Sequence, residues 1–377
     1  MAAVNYEGDC WPTWQQELLL RAAFLPGEEA IQAWEEWKSI VDVDELDHGS
    51  YQLLPQLYRN LQNQGISDPL MMKFKGYYRY TWSKNLLLFQ NVAALLRSLH
   101  QVGIETLVLD GAALALHFDQ ELGLRLVDDF AILVRTEQAV TAIKRLRALG
   151  CNPMWKLPEA LTETYVSAGH AHPFYNATGD RFHLHWHVLP ECRQINADDD
   201  FWHGAVSTTI HNVSTYVLNP TDQLLRVCVQ GTSLRAAPLF PWVADAMKLL
   251  TAMQAEMDWD RLITQAQKRR LILPLRDTLD YVQGVLDAPI PPAILQRIQT
   301  GPTTKQEQIE HKLRTHRMAL WRRLSDWFTY SRYTSNTNWI HQILGFPKFL
   351  QHLWRLDHLW QVPFFAVSRL AARLRPY

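Results

Sequence analysis

Two acids stand immediately before a buried-looking apolar run in Asp128-Asp129-Phe130-Ala131-Ile132-Leu133-Val134. Side chains at i and i+2 of a strand share a face, so Asp-x-Asp at this place would bring two carboxylates to one point. Such a pair holds divalent ions against phosphate oxygens. Here the second place is Ala131, which offers no oxygen. Asp129, with Asp128 at an awkward angle to it, is the acid left at this point, and alone it would hold a metal ion weakly. Upstream, Leu109-Asp110-Gly111-Ala112-Ala113-Leu114 reads as a strand turning into a helix through glycine. The N–H groups of Gly111 and Ala112 at a helix start would cradle a phosphate, although a plain tight turn has the same residues. Asp110 fits neither use, because an acid beside the cradle repels a triphosphate. Arg125 either contacts a phosphate or pairs with Asp128 or Asp129.

A second set lies downstream, where Arg181 to Leu189 (RFHLHWHVL) alternates polar and apolar as a half-buried strand does. His183, His185 and His187 then share one face. Imidazole suits Zn²⁺ and other transition metals rather than Mg²⁺. The two readings are a metal site and histidines hydrogen-bonded inside a pocket, and the second is the commoner fate of such clusters. Asp198-Asp199-Asp200 reads as a solvated loop or as the N-cap of the FWHG segment after it.

The elements that must position these residues follow from periodicity. From Trp14 to Gln64 the chain is helical in pattern, and Asp68 to His100 continues as a long amphipathic helix closed near Gly103. Strands are expected at Thr106 to Leu109, Phe130 to Val134 and Phe182 to Leu189, with a helix ending at Gly150 between the second and third. Pro220 to Met253 and Asp258 to Leu286 are helical again. The organisation expected is a helical N-terminal region (1–102), an α/β core (103–218), a helical region (219–290) and a basic, aromatic-rich helical C-terminal region (291–377). The fold class is α+β: a small mixed sheet with helical regions before and after it. Trp34, Trp37, Trp242 and Trp259 fall among apolar residues and are expected in the core.

Composition narrows the class. The 377 residues are 47% hydrophobic and 20% charged with a net charge of −1, ordinary values for a folded protein with no global pull toward nucleic acid or membrane. Cys10, Cys151, Cys192 and Cys228 are scattered, without a CxxC pair, and are expected to be reduced thiols. The first residues, MAAVNYEGDCWPTWQQ, lead to no expectation of a secretory leader, and without an apolar run of about eighteen residues no transmembrane segment is expected, so the cytoplasm is the expected compartment. The sequons at Asn176 and Asn212 then carry no glycan. From Gly301 onward twelve Lys and Arg face four Asp and Glu, an excess of +8 that leaves −9 on the rest. The end of the chain mixes Trp354, Trp360, Phe364 and Phe365 with Arg355, Arg369, Arg373 and Arg375. Such a segment either docks on the acidic body or meets a protein partner, an anionic partner or a membrane surface.

Taken in order, Leu109-Asp110-Gly111-Ala112-Ala113-Leu114, Gly123-Leu124-Arg125, Asp129-Phe130-Ala131-Ile132-Leu133-Val134, His183-Leu184-His185-Trp186, Trp242-Val243-Ala244-Asp245 and Asp258-Trp259-Asp260 resemble a bacterial family of uncharacterised nucleotidyltransferase-like proteins. These are distant relatives of polymerase-β-type enzymes, and the likeness runs from about Val41 to Leu286. It implies a nucleotidyl transfer from an NTP to an acceptor that the sequence does not name, assisted by Mg²⁺. Gly111, Ala112 and Arg125 would bind the nucleotide, with Asp129 as the catalytic residue and surviving ligand of a three-carboxylate, two-metal centre, helped as a metal ligand by Asp128. The sequence departs from the pattern three times: Asp110 replaces the lysine before the glycine, and Ala131 and His183 replace carboxylates. One of these losses would serve an introduced knock-out; three point to a natural pseudoenzyme. Weak or absent Mg²⁺ binding and impaired or lost activity follow, with a non-catalytic binding or scaffold role as the alternative. The resemblance also puts the histidine face at the old metal position, so a transition metal held by Asp129, His183 and His185 is the less favoured alternative to an empty pocket.

Overall fold

A computed structural model describes residues 11–118, 121–158, 161, 163–232, 240–315, 319–334, 338–354 and 356–371. The fold is α+β. Seven short strands, β1 (Leu107–Leu109), β2 (Phe130–Leu133), β3 (Asn152–Pro153), β4 (Ala171–Tyr175), β5 (Arg181–His185), β6 (Val206–Ile210) and β7 (Val213–Val217), alternate with many helices. They form a mixed sheet in the order β3-β4-β5-β2-β1-β7-β6, so the three strands expected to be neighbours are neighbours. β2 and β5 run parallel with Ala131 opposite His183, whereas β4 with β5 and β6 with β7 are antiparallel.

The chain divides into two compact units. The first comprises Met1–Ala93, Leu109–Asp128 and Val206–His316. Four of its helices begin where short polar side chains satisfy the free N–H groups of a first turn. Thr13 and Gln16 form a reciprocal capping box ahead of Trp14–Phe24, Asp47 caps His48–Asn63, Asn219 caps Pro220–Gly231 and Asp258 caps Trp259–Lys268. The Asp-Trp-Asp sequence is thus a helix start. Trp34, Trp37 and Trp242 are buried as expected, while Trp259 is only half-buried. Gly231 is needed for close approach, since a Cβ there would fall 2.5 Å from the Trp242 ring.

The second unit comprises Ala94–Val108, Asp129–Ala205 and Arg317–Tyr377. Phe130, Phe174 and Phe182 stack through its strands with ring centres 5.1 and 5.6 Å apart. The helix Ala139–Ala148 ends before Gly150, whose φ of +79° makes the left-handed turn that glycine supplies without strain. Tyr330 and Phe349, from the helices Ala319–Tyr333 and Trp339–Leu353, pack with Ala168 in a small aromatic core. Part of the C-terminal aromatic segment is therefore built into this unit. Trp360 and Phe364 stay exposed, and Arg355, Arg373, Arg375 and the side chain of Arg369 lie outside the described residues. Cys10 lies outside them too, and Cys151, Cys192 and Cys228 are buried and take part in no disulfide among the described residues. Among the described residues no helix is long and apolar enough to cross a membrane.

Two expectations change. The strand expected over Phe182 to Leu189 stops at His185, because the chain turns there and Trp186 and His187 both donate to the His170 carbonyl. The helix expected after Gly111 is a four-residue turn, Asp110–Ala113, that continues as the wider π-helix Leu114–Phe118.

Candidate functional site

In the first unit, Asp110 opens the turn with a left-handed φ of +58°. Its carboxylate accepts two parallel bonds of 2.8 Å from Nε and Nη2 of Arg226, and a third of 3.1 Å from Gln230. Arg226 is only 1% exposed. The acid that suits no phosphate cradle is thus the counter-ion of a buried guanidinium, and the fork-to-fork geometry is the strong form of that pair. Arg125 packs over Gly111, with Nη1 3.6 Å from where a Cβ on that glycine would stand. It forms an ion pair, as one reading expected, but its partner is Asp245 of the helix Pro241–Ala252. Ala112 is fully buried beside them.

Asp128 accepts from two donors of the same unit, Gln52 at 2.8 Å and Lys84 at 3.1 Å, and His48 Nε2 lies 2.8 Å from the same carboxylate. Burial pushes its carboxyl upward, but the Lys84 and Gln52 bonds and the nearby positive charge more than offset this and hold it below the usual carboxylate range. An open groove of about 550 Å³ adjoins it, lined by Tyr51, Tyr77, Tyr80, Lys73 and Lys84. Sequence reasoning missed Asn85, a fully buried polar residue inside an apolar stripe. Asn85 donates to the carbonyls of Leu122 and Arg125 and accepts from the N–H of Val127, so it fixes the loop that carries Arg125 and Asp128.

In the second unit, the Asp129 carboxylate receives Arg181 Nη2 at 2.8 Å, and His183 Nε2 lies 3.6 Å away. Ala131, 3% exposed, stands in register with His183 across β2 and β5. His183 and His185 share one face of β5 with rings 6.0 Å apart, while Phe182 and Leu184 fill the other face. His187 is not on that face. It lies past the strand end, where Nδ1 meets Asp198 at 2.6 Å. Asp198 is accordingly neither solvated nor a side-chain cap for the helix Asp199–His203, since its second oxygen accepts from the Val188 N–H. Among the described residues no group of three His, Cys, Asp or Glu side chains is arranged to hold a metal ion. The donors do not fit an Mg²⁺ pair, which wants several carboxylate or phosphate oxygens; the acid at this strand, Asp129, already carries a guanidinium.

No curated protein matches the chain. The profile of a family described as "Uncharacterised nucleotidyltransferase" matches residues 50–287, well over half of it. That span contains the turn at Gly111, the β2–β5 pair, the Trp242-to-Asp245 helix and the Asp258 cap. The chain belongs to this family of uncharacterised nucleotidyltransferases.

Proposed function

We propose that this chain is a nucleotidyltransferase-family protein that has lost most or all metal-assisted transfer from an NTP to an acceptor, and serves instead as a non-catalytic binding protein. The observation that carries the reading is the β2–β5 register, which sets Ala131 against His183 where two-metal chemistry would need oxygen ligands. The guanidinium on Asp129 supports it, because a cation there competes with any metal ion for the same oxygens. Gly111, Ala112 and Arg125 would have to bind nucleotide with Arg125 already ion-paired to Asp245. The groove beside Asp128, with three tyrosine rings and two lysines, is the surface in the first unit suited to a flat or anionic partner.

The test is calorimetry of the unaltered protein with each NTP and Mg²⁺, together with a self-labelling assay using α-labelled NTP. The expected result is no binding tighter than millimolar and no label incorporated. Removing one partner of a charge-assisted pair costs about 2–5 kcal/mol, enough to take a micromolar complex to millimolar. Tight Mg²⁺-dependent binding or labelling would overturn the proposal.

A further inference from the structure

Past the C-terminal ends of the parallel strands β2 and β5, inside the second unit, lies a cavity of about 770 Å³. Asp129, Ala131 and His183 are placed toward the other ends of these strands, so the cavity is separate from the acid-strand position. Crevices beyond the carboxyl ends of parallel strands are common ligand positions in sheets of this kind. The volume falls in the range of about 300–1,000 Å³ that small-molecule sites occupy.

Two buried polar groups in the wall carry the argument. His187 is 2% exposed. Asp198 takes its Nδ1 at 2.6 Å and is itself anchored by the Val188 N–H at 2.9 Å, so the ring is held in one orientation. The opposite ring nitrogen, Nε2, has no hydrogen-bond partner. Buried polar atoms are nearly always partnered, so one left over in a cavity wall calls for an occupant. Arg193 is the second group, at 9% exposure. Its Nε donates to the Pro190 carbonyl at 2.7 Å and its Nη1 to the Ala168 carbonyl, both main-chain acceptors. Burial lowers this guanidinium to about 10, with Glu191 and Asp326 offsetting only part of the effect. A cation this deep, bonded only to carbonyls, favours an anion beside it.

The rest of the wall completes the description. Lys348 adds an exposed positive charge, while Arg135 is already committed to Glu105 and to the Trp202 ring. The acids Glu137 and Asp199 are exposed and half-exposed, and the buried Asp198 is engaged by His187 and the Val188 N–H, so Arg193 is the buried charge of the wall with no carboxylate bonded to it among the described residues. Tyr330, Tyr333 and Phe349 offer flat apolar surface.

We propose that this cavity binds a small organic acid that carries a hydroxyl or N–H donor. Its anionic group lies toward Arg193 and Lys348, its donor meets His187 Nε2, and its flat body rests on the tyrosine and phenylalanine rings.

Calorimetry on the full-length protein tests this with three probes: 4-hydroxybenzoate, benzoate, which lacks the hydroxyl, and 4-hydroxybenzamide, which lacks the charge. The expected result is saturable one-site binding of 4-hydroxybenzoate, with each of the others weaker by about tenfold, the usual effect of leaving a buried polar group unsatisfied. His187→Phe keeps a ring in place and should abolish the preference for the hydroxyl. Lys348→Met, at an exposed position, should weaken both acids and leave the amide unchanged. If His187→Phe does not fold, the probe comparison and Lys348→Met decide the matter. Absence of saturable binding of either acid, equal binding of acid and amide, or a hydroxyl preference that survives in His187→Phe would overturn the proposal.

Discussion

Replacing Asp110 by Asn removes one charge and little else, because asparagine also tolerates the left-handed backbone that Asp110 adopts. What it leaves behind is Arg226, 1% exposed, stripped of a carboxylate that now gives it two bonds of 2.8 Å. Breaking a buried ion pair by removing one partner costs about 3–5 kcal/mol. The Asp110 side chain keeps 30% of its exposure. Water can therefore reach one side of the pair, and the low end, about 3 kcal/mol, is the expected loss. In a unit of this size each kcal/mol moves the melting midpoint by about 2–4 °C, giving a fall of about 6–12 °C. Asp110→Asn with Arg226→Met removes both charges and should recover most of the loss. Urea unfolding followed by tryptophan fluorescence and circular dichroism measures the cycle. A single variant within about 1 kcal/mol of the parent, or a double variant as damaged as the sum of the singles, would refute the view that the two charges act as a coupled pair.

Asp128, held below the ordinary carboxylate range, contributes stability that is present above its unfolded value and lost as pH falls through the folded one. Asp128→Asn should therefore cost about 1 kcal/mol near neutrality, a modest figure because Lys84 is partly exposed, and its melting curve should converge on the parent's below about pH 4. Melting temperatures from neutral pH into acid check this, and a gap independent of pH contradicts it. The histidine face makes the third prediction. Freshly purified protein should hold no stoichiometric transition metal, and chelators should leave its melting temperature unchanged, because a bound ion would stabilise the native state by mass action. One equivalent of metal, lost in His183→Ala with His185→Ala, would mean that the two rings do ligate.

Local pattern accounts for what the sequence made legible. The apolar runs at Leu107–Leu109 and Phe130–Leu133 and the alternation from Arg181 to His185 led to three adjacent strands. The N-terminal helices also follow from short-range spacing, whereas the caps at Thr13 and Asp47 are seen only in the structure. The partners of the charged residues do not follow from spacing either. Arg226 meets Asp110 across 116 positions, and Arg125 meets Asp245 from a distant helix, pairings that depend on how helices pack. A short polar run misled for a related reason. Asp198 stands among three acids that suggest solvent, yet the chain folds back and spends its carboxylate on His187 and Val188. Periodicity also overran the end of β5, because alternation in the sequence continues past the point where His170 takes the backbone bonds.

The buried pair at Asp110 constrains how this sequence can drift. A lysine at position 110 would set a second positive charge against the buried Arg226. An apolar residue at 226 alone would leave the aspartate without its fork. Each single step passes through a less stable chain, so the two positions can change readily only together. Across relatives the charges at these two sites should be inherited as a unit, and a change of one without the other should be rare.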